Sequence, residues 1–241
     1  MICQSVVHGR ILRYTLKRSA RRRSIGFKVD HHGLTVIAPE KAATAFIEQA
    51  LKAKNSWILN ALDKIQSQQE NLPAQIIWQD GALFPYLGKD CRLRLVKTLS
   101  TRNRFSFSDC WLTLETAKAD DISVATAVKI WLKQQAKETL LSRLADQAET
   151  MQLTYTKAAL SNATGRWGSC TAKRHIRLNW RLILTDWSLM DYVIIHELSH
   201  LVELNHSPRF WALVELWYPD WREARQKLNA IGTKLFTLFP E

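Results

Sequence analysis

Residues 189–204 are apolar at most positions, yet His196, Glu197 and His200 stand inside the apolar run. A helix that is hydrophobic around most of its circumference must be buried. A buried helix has no structural use for imidazole and carboxylate groups unless they are paired or bound to metal. On a helix His196 and His200 lie one turn apart on the same face, with Glu197 rotated about 100° from His196. Two imidazoles so placed can share one metal ion, and the carboxylate beside them can hold a water that the metal polarises. The same spacing also serves a plain polar seam; the apolar context favours the metal. Ser188 followed by Asp191 reads as a capping box at the start of this helix.

A third ligand follows six residues after His200. His206 lies at the expected helix exit, where Asn205 can adopt the left-handed conformation that turns the chain back. Metzincins use this spacing too, but they place glycine where this chain has Glu203, so the likeness is one of spacing only. Glu203 is a rival ligand, because positions 196, 200 and 203 share a helical face. Glu215, on the next helix, is a weaker rival. The sequence favours His196, His200 and His206 as metal ligands, with Glu203 supporting a ligand imidazole. Three nitrogen ligands leave a fourth position for water, which is the arrangement of a catalytic zinc rather than a structural one. Glu197 is then the general base, and Arg166, His175 and Tyr218 are candidates to stabilise an oxyanion.

With Trp167-Gly168-Ser169-Cys170 and Leu178-Asn179-Trp180-Arg181-Leu182 upstream, and Ser207-Pro208-Arg209-Phe210-Trp211 downstream, this pattern resembles the YgjP-like metallopeptidase-domain family over nearly the whole chain. The resemblance implies a gluzincin-like or SprT-like zinc peptidase fold with one Zn2+ per chain, and it leaves the substrate open.

The periodicities around the metal helix describe an α+β protein. A zincin-like C-terminal half, 118–241, is expected from a long backing helix beginning at Asp120 or Asp121, a small mixed sheet and the metal helix. A β-rich N-terminal platform, 1–117, precedes it. In the platform, alternation at 11–16, 25–29 and 34–38 predicts a short antiparallel sheet, with His31 and His32 as turn residues. Helical spacing predicts a helix over 41–69 that breaks near Asn55 and stops at 71–73. A second series of strands runs from Trp78 to Leu114, with Gly81 and Gly88 at its turns. Ser207 and Pro208 open a helix after His206, and Gly232 ends the last one. No internal repeat is evident.

Strands are also expected over 153–161 and 174–182. In the second, Arg177 and Asn179 point away from the core and are candidate substrate contacts on an edge strand. Gly165 and Gly168 allow close backbone approach, Trp167 can wall a pocket, Arg166 and Trp167 are further candidate substrate contacts, and Cys170 reads as a packed thiol.

Charge divides the chain unevenly. Residues 1–110 carry 18 Lys and Arg against 8 Asp and Glu, whereas 111–241 carry 16 against 14. The loop with Arg21, Arg22 and Arg23 is either a solvated tip or an anion site for nucleotides or nucleic acid. Scattered Cys3, Cys91, Cys110 and Cys170 fit a reducing compartment, residues 1–13 lack an apolar core of signal-peptide length, and no run approaches the ~20 apolar residues of a membrane span. A cytoplasmic protein without membrane contact is expected. Three functions compete: a zinc metallopeptidase acting on protein or peptide, a metal-dependent nucleotide phosphohydrolase resembling nucleoside triphosphate pyrophosphatases, and a nucleic-acid-binding module.

Overall fold

The computed structural model describes residues 2–7, 10–30, 33–70 and 75–239. Two compact units divide the chain, Met1–Leu72 and Pro73–Glu241.

The first unit opens with strands β1 (Ile2–Val7), β2 (Arg10–Ser19), β3 (Gly26–Asp30) and β4 (Gly33–Pro39), in the order β1-β2-β4-β3. The sheet is mixed, not antiparallel. β3 returns along the outer edge of β4, so β4 runs parallel to β2. Period-two alternation buries Leu34, Val36 and Ala38 on one face of β4. The helical stretch divides at Lys54 into α1 (Thr44–Ala53) and α2 (Asn55–Glu70), and Ile47, Leu51 and Ile58 complete a small core with Leu12 and Tyr14. The expected turn at His31 and His32 and the helix stop at 71–73 lie outside the described residues.

The second unit starts with β5 (Leu83–Tyr86), β6 (Lys89–Lys97), β7 (Arg104–Ser108) and β8 (Trp111–Thr116). Their order is β5-β6-β8-β7, with β6 parallel to β8 and antiparallel pairs outside. This repeats the topology of the first sheet, a repeat that leaves no mark in the residues themselves. A long helix follows, α3 (Asp121–Thr150), whose N-cap Asp120 accepts from the Ser123 amide. Strands β5 to β8 add Phe84, Leu93, Leu112 and Leu114 to the core that α3 builds with the C-terminal helices. The second unit thus includes these four strands, and the chain passes from one unit to the other at 72/73.

Behind α3 lie β9 (Lys157–Ser161), β10 (Gly168–Cys170) and β11 (His175–Asn179), in the order β10-β11-β9. The alternation expected through 182 stops at Asn179, because a 3-10 turn, Trp180–Leu184, buries five consecutive residues. Three helices finish the chain: α4 (Trp187–Ser199), α5 (Pro208–Trp217) and α6 (Trp221–Leu238). Helix α6 runs through Gly232 because its apolar face continues with buried Leu235 and Leu238. Among the described residues no helix is long and apolar enough to cross a membrane.

Candidate metal centre

Helix α4 is anchored at both ends. Its N-cap is Asp186, which accepts from the Leu189 amide at 3.0 Å; Ser188 lies inside the helix and its hydroxyl donates to Asp186. The capping box expected at Ser188 is thus displaced by two residues, and Asp191 serves elsewhere. It takes a two-pronged ion pair from Arg143 of α3, whose guanidinium also covers the Trp187 ring. The β5–β6 turn supports the cap: the Leu87 amide donates to the Ile183 carbonyl at 2.8 Å. Gly88 has φ +75°, and a Cβ there would stand 2.7 Å from Cβ of Asp186, so only glycine fits. Between these anchors Leu189, Met190, Val193, Ile194 and Leu198 are buried, which fixes the face that carries the histidines.

The helix ends at Ser199, with His200 as its C-cap. Asn205 is not among the residues with positive φ; the reversal is made by tight turns, with the Glu203 amide donating to the Ser199 carbonyl at 3.0 Å and the Ser207 amide to the Asn205 carbonyl at 2.8 Å. Glu203 is therefore off the helical face. Its carbonyl, not its carboxylate, receives Nδ1–H of His200 at 3.1 Å, which leaves Nε2 of that ring as the lone pair. His206 returns so that its Nε2 lies 3.1 Å from Nε2 of His196. The three imidazoles offer ligand atoms that all fall within 4.8 Å of one another. Glu215 is turned away and paired with Arg222 at 2.7 Å.

Phe210, fully buried on α5, packs on all three rings, stacked on His200 with centroids 4.4 Å apart. Ser207 caps α5 through the Phe210 amide with Pro208 behind it, so the cap that starts this helix also sets the floor of the cluster. Burial holds the His196 pKa down to about 3, with His200, His206 and Arg225 adding to the effect; burial also lowers that of His200. Neutral imidazoles are the form that binds metal.

Glu197 is almost completely buried, and one of its oxygens has no hydrogen-bond partner. Its carboxyl lies against Gly168, where a Cβ would come within 2.4 Å of Oε1. That glycine is what the Trp167-Gly168-Ser169-Cys170 stretch contributes: β10 can approach α4 only without a side chain. Burial pushes the Glu197 pKa up to about 8, and Arg166 opposes the rise. The neighbouring Cys170 thiol is raised by burial and then by Glu197, as befits a packed group rather than a nucleophile.

Comparison with known families places residues 23–231 of the chain under the profile of the YgjP-like metallopeptidase domain. The chain belongs to the YgjP-like metallopeptidase-domain family. No curated protein and no solved structure matches it.

Within this YgjP-like chain the remaining sequence candidates separate by position. β11 is the middle strand of its sheet, and the free edge nearest α4 belongs to β10. Gly168 and Cys170 pair with Leu178 and Ile176 and share the face toward α4, so Arg177, opposite Ser169, projects from the other face. Asn179 is fully buried: its amide nitrogen donates to the carbonyls of Ala163 at 2.6 Å and Arg166 at 3.0 Å. It holds the 163–166 loop in place. Trp167 packs on Phe236 with ring centres 4.6 Å apart. His175 begins β11. The Tyr218 hydroxyl interacts with Ser188, at the opposite end of α4 from the histidines. Arg21, Arg22 and Arg23 are exposed in the first unit, whereas Arg18 beside them is engaged, donating to the Glu40 carbonyl at 2.8 Å and to that of Ala42 at 2.9 Å.

Sequence reasoning missed Phe210 as the ring on which the histidines rest, and Arg225 as the cation over Trp211, the ring that borders His196 and His206. Phe210 carried a signal, since Ser207-Pro208 fixes it in the first turn after His206. Arg225 carried none.

Proposed function

We propose that the chain is a zinc-dependent metallopeptidase in which His196, His200 and His206 hold one zinc and Glu197 is the general base. The observation that carries this reading is the convergence of three imidazoles beside a buried carboxylate that has an oxygen to spare. The 3.1 Å between Nε2 of His196 and Nε2 of His206 suits two ligands of a tetrahedral zinc, whose nitrogens stand about 3.3 Å apart when each bond is ~2.05 Å. When bound, zinc supplies a Lewis acid that polarises a carbonyl and acidifies water. The protein's own groups do the rest. The Glu203 carbonyl orients His200, and Phe210 closes the cluster from behind. Gly168 lets β10 press against Glu197, which keeps that carboxylate dry and its pKa near the working range. Glu197 takes a proton from water and passes it to the leaving amine.

The free edge of β10 supports a peptide substrate over a phosphoanhydride. An extended peptide can add to that edge by backbone hydrogen bonds and lie along α4 at Glu197. Glu197→Gln tests the assignment, because it keeps the side chain's size and removes its basicity. The expected protein is folded, retains zinc and cleaves casein about 10²- to 10⁴-fold more slowly. Wild-type turnover in a zinc-replete Glu197→Gln protein would remove the general base from this account.

A further inference from the structure

Two separate parts of the chain each bring an arginine to the metal centre. Arg225, on α6, stands with its guanidinium carbon 5.1 Å from the Trp211 ring centre. That ring in turn lies 5.6 Å from the His206 ring and 5.8 Å from the His196 ring. Arg166 comes two residues before Gly168, the glycine against which Glu197 packs, and its carbonyl is held by buried Asn179. Both arginines are exposed, and among the described residues neither side chain takes part in an ion pair.

An arginine stacked on tryptophan has lost little of its binding capacity and much of its freedom, and its planar fork matches a carboxylate. Arg225 stacked on Trp211, with exposed Arg166 on the loop before Gly168 and no ion pair on either among the described residues, sets up a positive field over the cleft. We propose that Arg166 and Arg225 bind carboxylates of the substrate and make this centre selective for acidic peptides. The proposal rests on the peptidase reading above. It predicts that Lys- and Arg-rich peptides are disfavoured, since they would meet like charge.

The test is a binding measurement on full-length, zinc-loaded Glu197→Gln protein, which holds peptide without turnover. Short Ala/Glu peptides are compared by calorimetry with isosteres carrying Gln for Glu, and with the Glu peptide amidated at its C-terminus. The Glu peptide should bind roughly tenfold tighter or better at low salt, the scale of one charge-assisted contact. Loss of the preference on amidation would assign the carboxylate to the chain end; its persistence would assign it to side chains. Adding Arg225→Gln or Arg166→Gln should each shrink the preference while zinc content and circular dichroism stay unchanged. Arg225→Lys should keep part of it, and Arg225→Glu should shift it toward Lys peptides, a reversal that a merely structural arginine would not produce. Equal affinity for Glu and Gln peptides, or a preference that survives loss of both arginines, overturns the proposal and leaves the peptidase reading standing. Binding of inorganic triphosphate with no peptide bound at all overturns both.

Discussion

The sheets β1–β4 and β5–β8 share strand order and strand direction, and a helical segment follows each, yet the histidine cluster belongs to the second unit alone. In the first unit the helix breaks at Lys54, and its core is a handful of residues around Val36 and Leu51. In the second, α3 runs unbroken from Asp121 to Thr150 and meets β9, the 3-10 turn and α4. The length of that helix is the decisive difference. A backing helix of 30 residues is about 45 Å long at 1.5 Å per residue, enough to support a sheet at one end and the histidine helix along its side. The same β topology is therefore joined to the histidine cluster only where the following helix can carry further layers.

The sharpest way to break this comparison is to make the same cavity in both helices. Leu140 on α3 and Leu51 on α1 are both fully buried, and Leu→Ala at either should cost about 2–5 kcal/mol of its own unit's stability. Leu140→Ala should lower the unfolding temperature of the zinc-bound unit and hasten zinc loss on heating. Leu51→Ala should leave zinc retention unchanged. Thermal denaturation followed by a zinc-sensitive dye separates the two, and equal zinc loss in both would show that the units stand or fall together.

A smaller effect distinguishes the turn glycines. Gly88 has φ +75° and would put a Cβ within 3.0 Å of the Asp186 backbone, whereas Gly33, at φ +98°, has open space around it. Gly33→Ala carries only the conformational cost, about 1–2 kcal/mol. Gly88→Ala adds a clash with the N-cap of the metal helix, a further ~1–3 kcal/mol. Urea denaturation of the two variants checks the order; equal losses would mean that the β5–β6 turn does not support α4.

Much of the site was legible before any coordinates because its parts are local. His196, Glu197 and His200 follow from helical period within an apolar run, and the Ser207-Pro208 start follows from capping chemistry. What was not legible depends on distant approach. The left-handed turn expected at Asn205 is made unnecessary by the tight turns after Ser199. Asn179 looked like a surface strand residue because alternation cannot show that a 3-10 turn begins at Trp180 and buries the carboxamide. Arg225 is far in sequence from the histidines and is brought to them only by the packing of α6. The repeated sheet topology was invisible because different residues meet the same alternation.

Proton linkage gives the mildest prediction, for metal-stripped protein. Folding holds the His196 pKa at about 3, below its ordinary 6.5, so the unfolded chain binds the extra proton between those values and stability falls as pH drops through them. Folding raises the Glu197 pKa from 4.5 to about 8, so the folded chain keeps the extra proton there and stability falls as pH rises from 4.5 to 8. The two slopes oppose each other between 4.5 and 6.5. His200, also lowered by burial, adds to the fall on the acid side; urea midpoints of the second unit should therefore peak near pH 6.5 and decline toward pH 8, and a midpoint that climbs steadily to pH 8 would contradict the burial of Glu197.

The central claim is that the third ligand arrives from beyond the helix end. Metal content of purified wild type, Glu203→Ala and His206→Ala, measured on the same day at neutral pH, tests it most directly. The account predicts about one zinc per chain in wild type and in Glu203→Ala, since only the Glu203 carbonyl is used, and little zinc in His206→Ala. Full zinc retention in His206→Ala, or its loss in Glu203→Ala, would assign the third ligand to a residue other than His206 and contradict the geometry described above.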